Sequence, residues 1–208
     1  MVGEGSQRKG RRGALLAKRW LDRSTRVATD LVNPDGTAEK KLTLKKANYQ
    51  NTQDVISFDL GGRFRDKNGI YEGHYFLAEC KNYDDGSDLG AEYRSFLAHC
   101  YRAVAIEHFM ADQFFWIAFA PHGVTKWDKL TSADEVKKAV LHTAERNVNF
   151  KPDDNAEDLF SVEVADKVSE RLWLVILSEK QIEHLSLTKE HLGVIEKYIV
   201  ESASEALL

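Results

Sequence analysis

Two cysteines, Cys80 and Cys100, are all that this 208-residue chain contains. That is too few for a disulfide scaffold and fits a reducing compartment. No apolar run approaches the roughly 18–20 residues that a membrane-spanning helix needs. The basic N-terminus also lacks the apolar stretch of a signal peptide, so a cytoplasmic protein with no membrane partner is expected. Positive charge is not in excess: 29 Lys and Arg against 33 Asp and Glu leave a net −4. Nucleic-acid binding must therefore rest on local clustering. The seven histidines fall at no zinc-ligand spacing with cysteine support. A nucleophile elbow and a glycine-rich phosphate loop are both missing, which disfavours Ser-His-Asp hydrolysis and P-loop chemistry. Neither cysteine has a base at a recognisable spacing to make it a nucleophile.

What remains is an ordinary globular composition, 43% apolar and 30% charged, long enough to bury a sizeable core. Residues 1–10 read as a flexible basic segment and 11–208 as a single domain. Apolar residues at helical spacing, Leu15, Leu16, Trp20, Val27, Ala28 and Leu31, predict a first helix from about Arg11 to Leu31. The Asn33-Pro34-Asp35-Gly36 turn ends it. Asp54–Phe64 and Ile70–Lys81 read as strands around Asn68-Gly69, a tight-hairpin signal. A helix over Leu89–Phe109 follows, then a continuous apolar strand, Phe114–Ala120, of the kind covered on both faces. Helices over Ser132–Arg146 and Ala156–Glu170, a second buried strand at Leu172–Leu177 and a helix over Leu187–Ala206 complete the chain. Ser132 and Glu135 form a capping-box pattern. In the last helix Leu192, Ile195, Ile199 and Val200 are expected to face inward. The order implies an α/β fold, a central mixed sheet flanked by helices.

Chemistry concentrates on the hairpin. Residues two apart on a strand share a face, so Glu79 and Lys81 project together while Cys80 turns to the core. Asp59 and Glu79 suit a divalent cation that prefers few carboxylates. Lys81 would orient or deprotonate a water, its pKa lowered by burial, or stabilise a phosphoryl transition state. A two-residue Asn68-Gly69 turn sets Asp59 opposite Ala78 and Glu79 opposite Phe58. One extra residue is needed to place both acids on one face, from a β-bulge at Gly61-Gly62 or from a longer loop. The competing reading is a surface Glu–Lys pair beside a strand-end aspartate.

Helix, Asp59 strand, Glu79-Cys80-Lys81 strand, helix and apolar strand together resemble the PD-(D/E)XK nuclease superfamily, with a restriction-endonuclease-like αβββαβ core. The resemblance covers roughly Arg11 to Ala120. It implies a deoxyribonuclease, an endonuclease in most such cores, hydrolysing DNA with metal-activated water. Asp59, Glu79 and the Cys80 carbonyl would bind Mg²⁺, or Mn²⁺ in its place, and Lys81 would be the catalytic lysine. Phe58 stands where the superfamily name puts proline. The first helix offers Ala14-Leu15-Leu16 where many members carry a metal-binding glutamate, and Glu4 lies upstream. In this resemblance the following helix contributes a polar residue near the site, for which Glu92 and Arg94 are the candidates. An inactive module of the same fold, binding nucleic acid or partner subunits, is the alternative. Homodimers and partner subunits are both common among such cores, and an RNA substrate stays open.

Arg8, Lys9, Arg11, Arg12, Lys18 and Arg19 cluster at the N-terminal end. They read either as a solvated helix face or as an arm that contacts the DNA backbone.

Overall fold

The computed structural model describes residues 3–65, 67–82 and 88–205. Helix α1 spans Gly3–Ser24, so its start lies upstream of Arg11 and its end well short of Leu31. The expected helical continuation is instead a strand, β1, Val27–Val32. Val27, Ala28 and Leu31 fit a helical stripe and a strand equally well, and tertiary pairing decides. Val27 and Thr29 alternate into the interior, and the Thr29 N–H donates to Asp22 Oδ1 at 2.7 Å. Asp22 thereby turns the chain out of α1 and into the strand.

Beyond β1 come α2 (Thr37–Leu42), β2 (Thr43–Lys45), β3 (Val55–Ser57), β4 (Leu60–Phe64) and β5 (Tyr75–Lys81). The segment read as one strand, Asp54–Phe64, is thus divided. β3 pairs with β2 in a small separate sheet, while β4 enters the main one. Next are α3 (Leu89–Ala105), β6 (Gln113–Ala118), a short 3₁₀ segment at Val124–Lys129, α4 (Ala133–Leu141) and α5 (Arg146–Asn149). The chain closes with α6 (Ala156–Leu159), α7 (Val162–Glu170), β7 (Leu172–Ile176), α8 (Glu179–His184) and α9 (Lys189–Glu205). The helix expected over Ala156–Glu170 breaks at Phe160-Ser161. Ser161 Oγ there accepts the Val164 N–H and starts α7 afresh, as N-cap serines do. Ser132 caps α4 in the same way through the Glu135 N–H, but that helix ends at Leu141 rather than Arg146.

The five-stranded sheet has the order β1-β4-β5-β6-β7. β1, β4 and β5 are antiparallel neighbours, and β6 and β7 add in parallel. Each parallel step needs a crossover, supplied by α3 for β5 to β6 and by α4–α7 for β6 to β7. Every residue of β6 is buried, as its continuous apolar sequence predicts. β7, expected to be buried as well, is instead the edge strand, with Trp173 exposed and its other residues half-buried. Strand alternation divides the core into two layers. Phe76, Ala78 and Cys80 of β5 join Ala14, Ala17 and Leu21 of α1. Leu77 joins Phe114 and Trp116 of β6 and the buried stripe of α3 on the other face. Helix α9 departs from expectation in part: Leu192 is half-buried, Ile195 and Val200 are exposed, as are Val194 and Tyr198, and the Ile199 side chain lies outside the described residues.

Register is the feature that matters for the site. Leu60 pairs with Ala78 and Arg63 with Tyr75, one step away from what a two-residue Asn68-Gly69 turn would give. The loop is longer, with the Phe64 N–H donating to the His74 carbonyl at 2.9 Å to close it. Asn68 adopts a positive φ of 61° without making the tight turn. The longer loop lets the Tyr71 ring pack 5.0 Å from Phe64 and 5.6 Å from Trp173, a gain that a two-residue turn forgoes. The anticipated bulge at Gly61-Gly62 is absent; the irregularity lies across the pair, in β1 between Thr29 and Leu31.

Candidate metal and catalytic site

Continuing the β4–β5 register by one residue sets Asp59 across from Glu79. The Asp59 backbone is held on both sides. Its N–H donates to the Ala78 carbonyl at 3.0 Å, and its carbonyl accepts from the Asn33 N–H at 2.9 Å. Phe58 packs in the α3 layer and Leu60 in the α1 layer, so the chain breaks strand alternation at this step. The Asp59 carboxylate reaches sideways, and its Oδ2 accepts the Cys80 N–H at 2.8 Å. Within a strand the N–H and C=O of one residue point to the same neighbour. The Cys80 carbonyl is therefore directed to the β4 side, where pairing has ended and Asp59 sits. Its thiol lies in the α1 layer, and burial pushes its pKa well up. The Cys100 thiol is likewise buried, on α3, with its pKa raised by burial.

Glu79 and Lys81 share the α3 face. Lys81 Nζ lies 2.8 Å from Glu79 Oε1 and 2.8 Å from Glu92 Oε2. Glu92, one of the two candidates on the following helix, thus reaches the cluster. Arg94 turns away, its Nε 3.8 Å from Glu145 Oε1. Glu79 Oε2 is buried with no hydrogen-bond partner. Burial, reinforced by the Asp59 charge, raises the Glu79 pKa to about 8 despite Lys81. Burial likewise raises that of Asp59, against the pull of the Cys80 N–H and Lys81. For Lys81, burial acts to lower the pKa, but Glu79 and Glu92 override it and the net shift is upward. The expectation of a burial-lowered lysine acting as base is corrected: Lys81 is a cation.

No motif in the sequence singles out His99. It lies one α3 stripe from Glu92, edge-on to Phe58 at 6.3 Å, with Nδ1 buried and unpartnered. Burial, then the Lys81 charge, lowers its pKa to about 4, so it is neutral beneath the cluster. The seven-residue spacing from Glu92 is the one signal the sequence carries for it.

The donor set suits a small hard cation: two carboxylates, one carrying an orphaned buried oxygen, and a backbone carbonyl on the same side. Against this, no three His, Cys, Asp or Glu side chains among the described residues form a metal-binding group. Lys81 occupies the space between Glu79 and Glu92. Within the described side chains of α1, the one acid is Asp22, engaged by Lys18 at 2.8 Å.

Of the basic cluster, Arg11 pairs with Asp35 at 3.0 Å and Arg12 with Glu179 at 2.5 Å. Lys18, bound to Asp22, also donates to the Thr29 carbonyl. Arg19 is exposed, and the side chains of Arg8 and Lys9 lie outside the described residues. No helix among the described residues is long and apolar enough to cross a membrane. Comparison of the chain with protein-family models, curated proteins and solved structures finds no match.

Glu79 gives the metal-free chain a pH signature. Its folded pKa of about 8 lies above the ordinary 4.5. Its contribution to stability is therefore fully present below pH 4.5 and lost as pH rises through 8. Denaturant titrations should show stability declining over that window, with Glu79→Gln flattening the decline; an unchanged slope in the variant would contradict it. His99 acts in the opposite sense. With a folded pKa near 4 against 6.5, its contribution is present above pH 6.5 and lost as pH falls through 4.

Proposed function

We propose that the chain is a metal-dependent nuclease that hydrolyses DNA phosphodiester bonds with metal-activated water, on a restriction-endonuclease-like core. The observation that carries this reading is the meeting of Asp59, Glu79 and Lys81 at the β4–β5 edge, with an unpartnered buried oxygen on Glu79. The path α1-β1-β4-β5-α3-β6 supports it, since it follows the αβββαβ order that the resemblance implies.

Asp59, Glu79 and the Cys80 carbonyl would hold Mg²⁺, with Mn²⁺ as a substitute. Such a cation supplies Lewis-acid polarisation of a phosphate and a water acidified toward neutrality. The chain's own residues do the rest. Lys81 is a fixed positive charge beside these carboxylates, able to offset charge growing on a scissile phosphate. Glu92 holds its ammonium in place. His99, buried against Phe58, adds no charge of its own.

Calorimetric titration with Mg²⁺ tests the reading. Binding is expected in the native chain and at least tenfold weaker in Glu79→Gln; binding that is absent or indifferent to the substitution would overturn it. The second reading, an inactive module binding nucleic acid or partner subunits, is favoured by Lys81 already neutralising Glu79 and Glu92. It predicts no carboxylate-dependent metal binding.

The basic end of α1 is the proposed site for gripping the DNA backbone. Because Arg11, Arg12 and Lys18 are engaged within the chain, Arg8, Lys9 and Arg19 carry the expectation. Every phosphate that the protein ceases to neutralise lowers the slope of log affinity against log salt by about one. Removing residues 1–10, and separately Arg19→Ala, should each flatten that slope. An unchanged affinity and slope would exclude this surface.

A further inference from the structure

A pocket of about 270 Å³ opens between α3, the segment after β6 and α4. Gly90, Tyr93, Arg94 and Leu97 come from α3, His122 and Lys126 from the segment, and Glu135 and Lys138 from α4. It is separate from the cluster already described, because α3 turns Glu92 toward Lys81 and these residues toward α4.

Two buried polar groups in its wall lack partners. His122 is only 8% exposed, and both of its ring nitrogens are buried without a hydrogen bond. Arg94 Nε is in the same state, and its carboxylate neighbour is a loose one. Glu145 Oε1 lies 3.8 Å away and already accepts the Ser95 hydroxyl at 2.7 Å. Buried polar groups are almost always satisfied, and leaving one unmade costs about 1–3 kcal/mol. Two such groups in the wall of one cavity point to a ligand that satisfies them.

The chemistry of the lining narrows the class. Three cations, Arg94, Lys126 and Lys138, line the pocket with one carboxylate, Glu135, and Glu145 stands behind Arg94. Glu135 Oε2 and Oε1 hold the Lys126 and Lys138 ammonium groups at 2.8 Å each, which fixes both lysines at the mouth. Burial, with Lys126 adding repulsion, lowers the His122 pKa, so its ring presents one donor and one acceptor at neutral pH. A guanidinium with its Nε unsatisfied, an imidazole with one hydrogen-bond donor and one acceptor, and two lysines offer more donors than two carboxylate oxygens would use. They match three phosphoryl oxygens. Tyr93, Leu97 and Leu130 supply an apolar wall for whatever carries the phosphate.

We propose that this pocket binds a phosphomonoester, with Arg94 and His122 as its inner contacts and Lys126 and Lys138 at its mouth. A free mononucleotide and a phosphorylated strand end both present this group, and the recognising chemistry is the same.

The test is calorimetry on the full chain in EDTA, which silences any metal-dependent site. The probes are inorganic phosphate, acetate, deoxyadenosine monophosphate and a short oligonucleotide with and without a terminal phosphate. Saturable one-to-one binding of phosphate and of the mononucleotide, competing with each other, is expected. Acetate should bind at least tenfold more weakly. Preference for the phosphorylated oligonucleotide over the mononucleotide would identify the strand end as the source, and the reverse would identify the free nucleotide. Arg94→Gln should weaken phosphate binding at least tenfold. Because that change leaves Glu145 without its cation, Lys138→Ala at the exposed mouth is the second variant, with a severalfold loss and an unchanged melting temperature expected. Lys81→Ala should leave phosphate binding intact, so this proposal and the nuclease reading fail independently. No saturable phosphate binding by the folded chain, equal binding of acetate, or indifference to both pocket variants would overturn the assignment.

Discussion

Gly62→Ala is expected to be among the most destabilising single substitutions in the sheet. Gly62 lies in β4, paired with Thr29 on one side and Phe76 on the other. A Cβ added there would stand 1.9 Å from the Ala28 carbonyl oxygen and 2.8 Å from the Phe76 ring. The first clash is with backbone, so β1 itself must move away from β4. Overpacking costs about 1–3 kcal/mol where side chains can yield, and displacing a strand costs more. Against a total stability of about 5–15 kcal/mol, that is a large fraction. Gly61→Ala is the control. Its added methyl would meet Leu42 Cδ2 at 2.6 Å and Met110 Cε at 2.8 Å, the far ends of flexible side chains. Chemical denaturation should place Gly62→Ala at least about 2 kcal/mol below Gly61→Ala, within the overpacking range. Equal midpoints would show that β1 is not packed tightly on β4. The consequence reaches function, because the β1 side also holds Asp59, whose carbonyl accepts the Asn33 N–H at 2.9 Å.

Lys81→Ala is expected to lower DNA cleavage by about 10³-fold while carboxylate-dependent Mg²⁺ binding persists. The size follows from removing a charge aimed at a developing oxyanion, typically worth about 10²–10³ in rate. Lys81 is not among the proposed metal ligands, so the metal should stay. Breaking a buried ion pair ordinarily destabilises by about 3–5 kcal/mol, because the partner charge is left buried and alone. Here the cost is limited in the metal-free chain, since Glu79 with its pKa of about 8 can take up a proton, which metal binding would displace. The variant should therefore melt near the native chain, and only its turnover should collapse. Full cleavage by a folded Lys81→Ala would remove the lysine from the mechanism. Loss of Mg²⁺ binding together with cleavage would reassign it to holding the site together.

Much of this arrangement is legible along the chain, and the exceptions share a cause. β6 and β7 declare themselves as short continuous apolar runs, and the Glu79-Cys80-Lys81 alternation correctly assigns two residues to one face and the cysteine to the other. Both are local patterns. β1 reads as helix because Val27, Ala28 and Leu31 satisfy either period, and what decides is pairing with β4, more than 25 residues away. The tight Asn68-Gly69 turn gives way to the packing of Tyr71 on Phe64 and Trp173, which no local signal contains. The need for one extra residue between Asp59 and Glu79 is legible, and the longer loop is one of the two sources that the count allows. The charge state of Lys81 is not legible: burial alone argues for a lowered pKa, and one of the carboxylates that reverse it, Glu92, comes from another element. The exposure of Val194, Ile195 and Tyr198 on α9 escapes the sequence for a related reason, since an amphipathic pattern does not reveal how much of its apolar face is covered.

The central claim is that Asp59, Glu79 and Lys81 form a working hydrolytic site, and its most direct test is cleavage itself. Supercoiled plasmid, linear duplex and single-stranded DNA would be incubated with the chain in Mg²⁺, in Mn²⁺ and in EDTA, beside Glu79→Gln. The account predicts strand breaks in at least one DNA form with either cation, none in EDTA, and none with the variant. Intact DNA under every condition with a folded chain, or equal cleavage by Glu79→Gln, would contradict it.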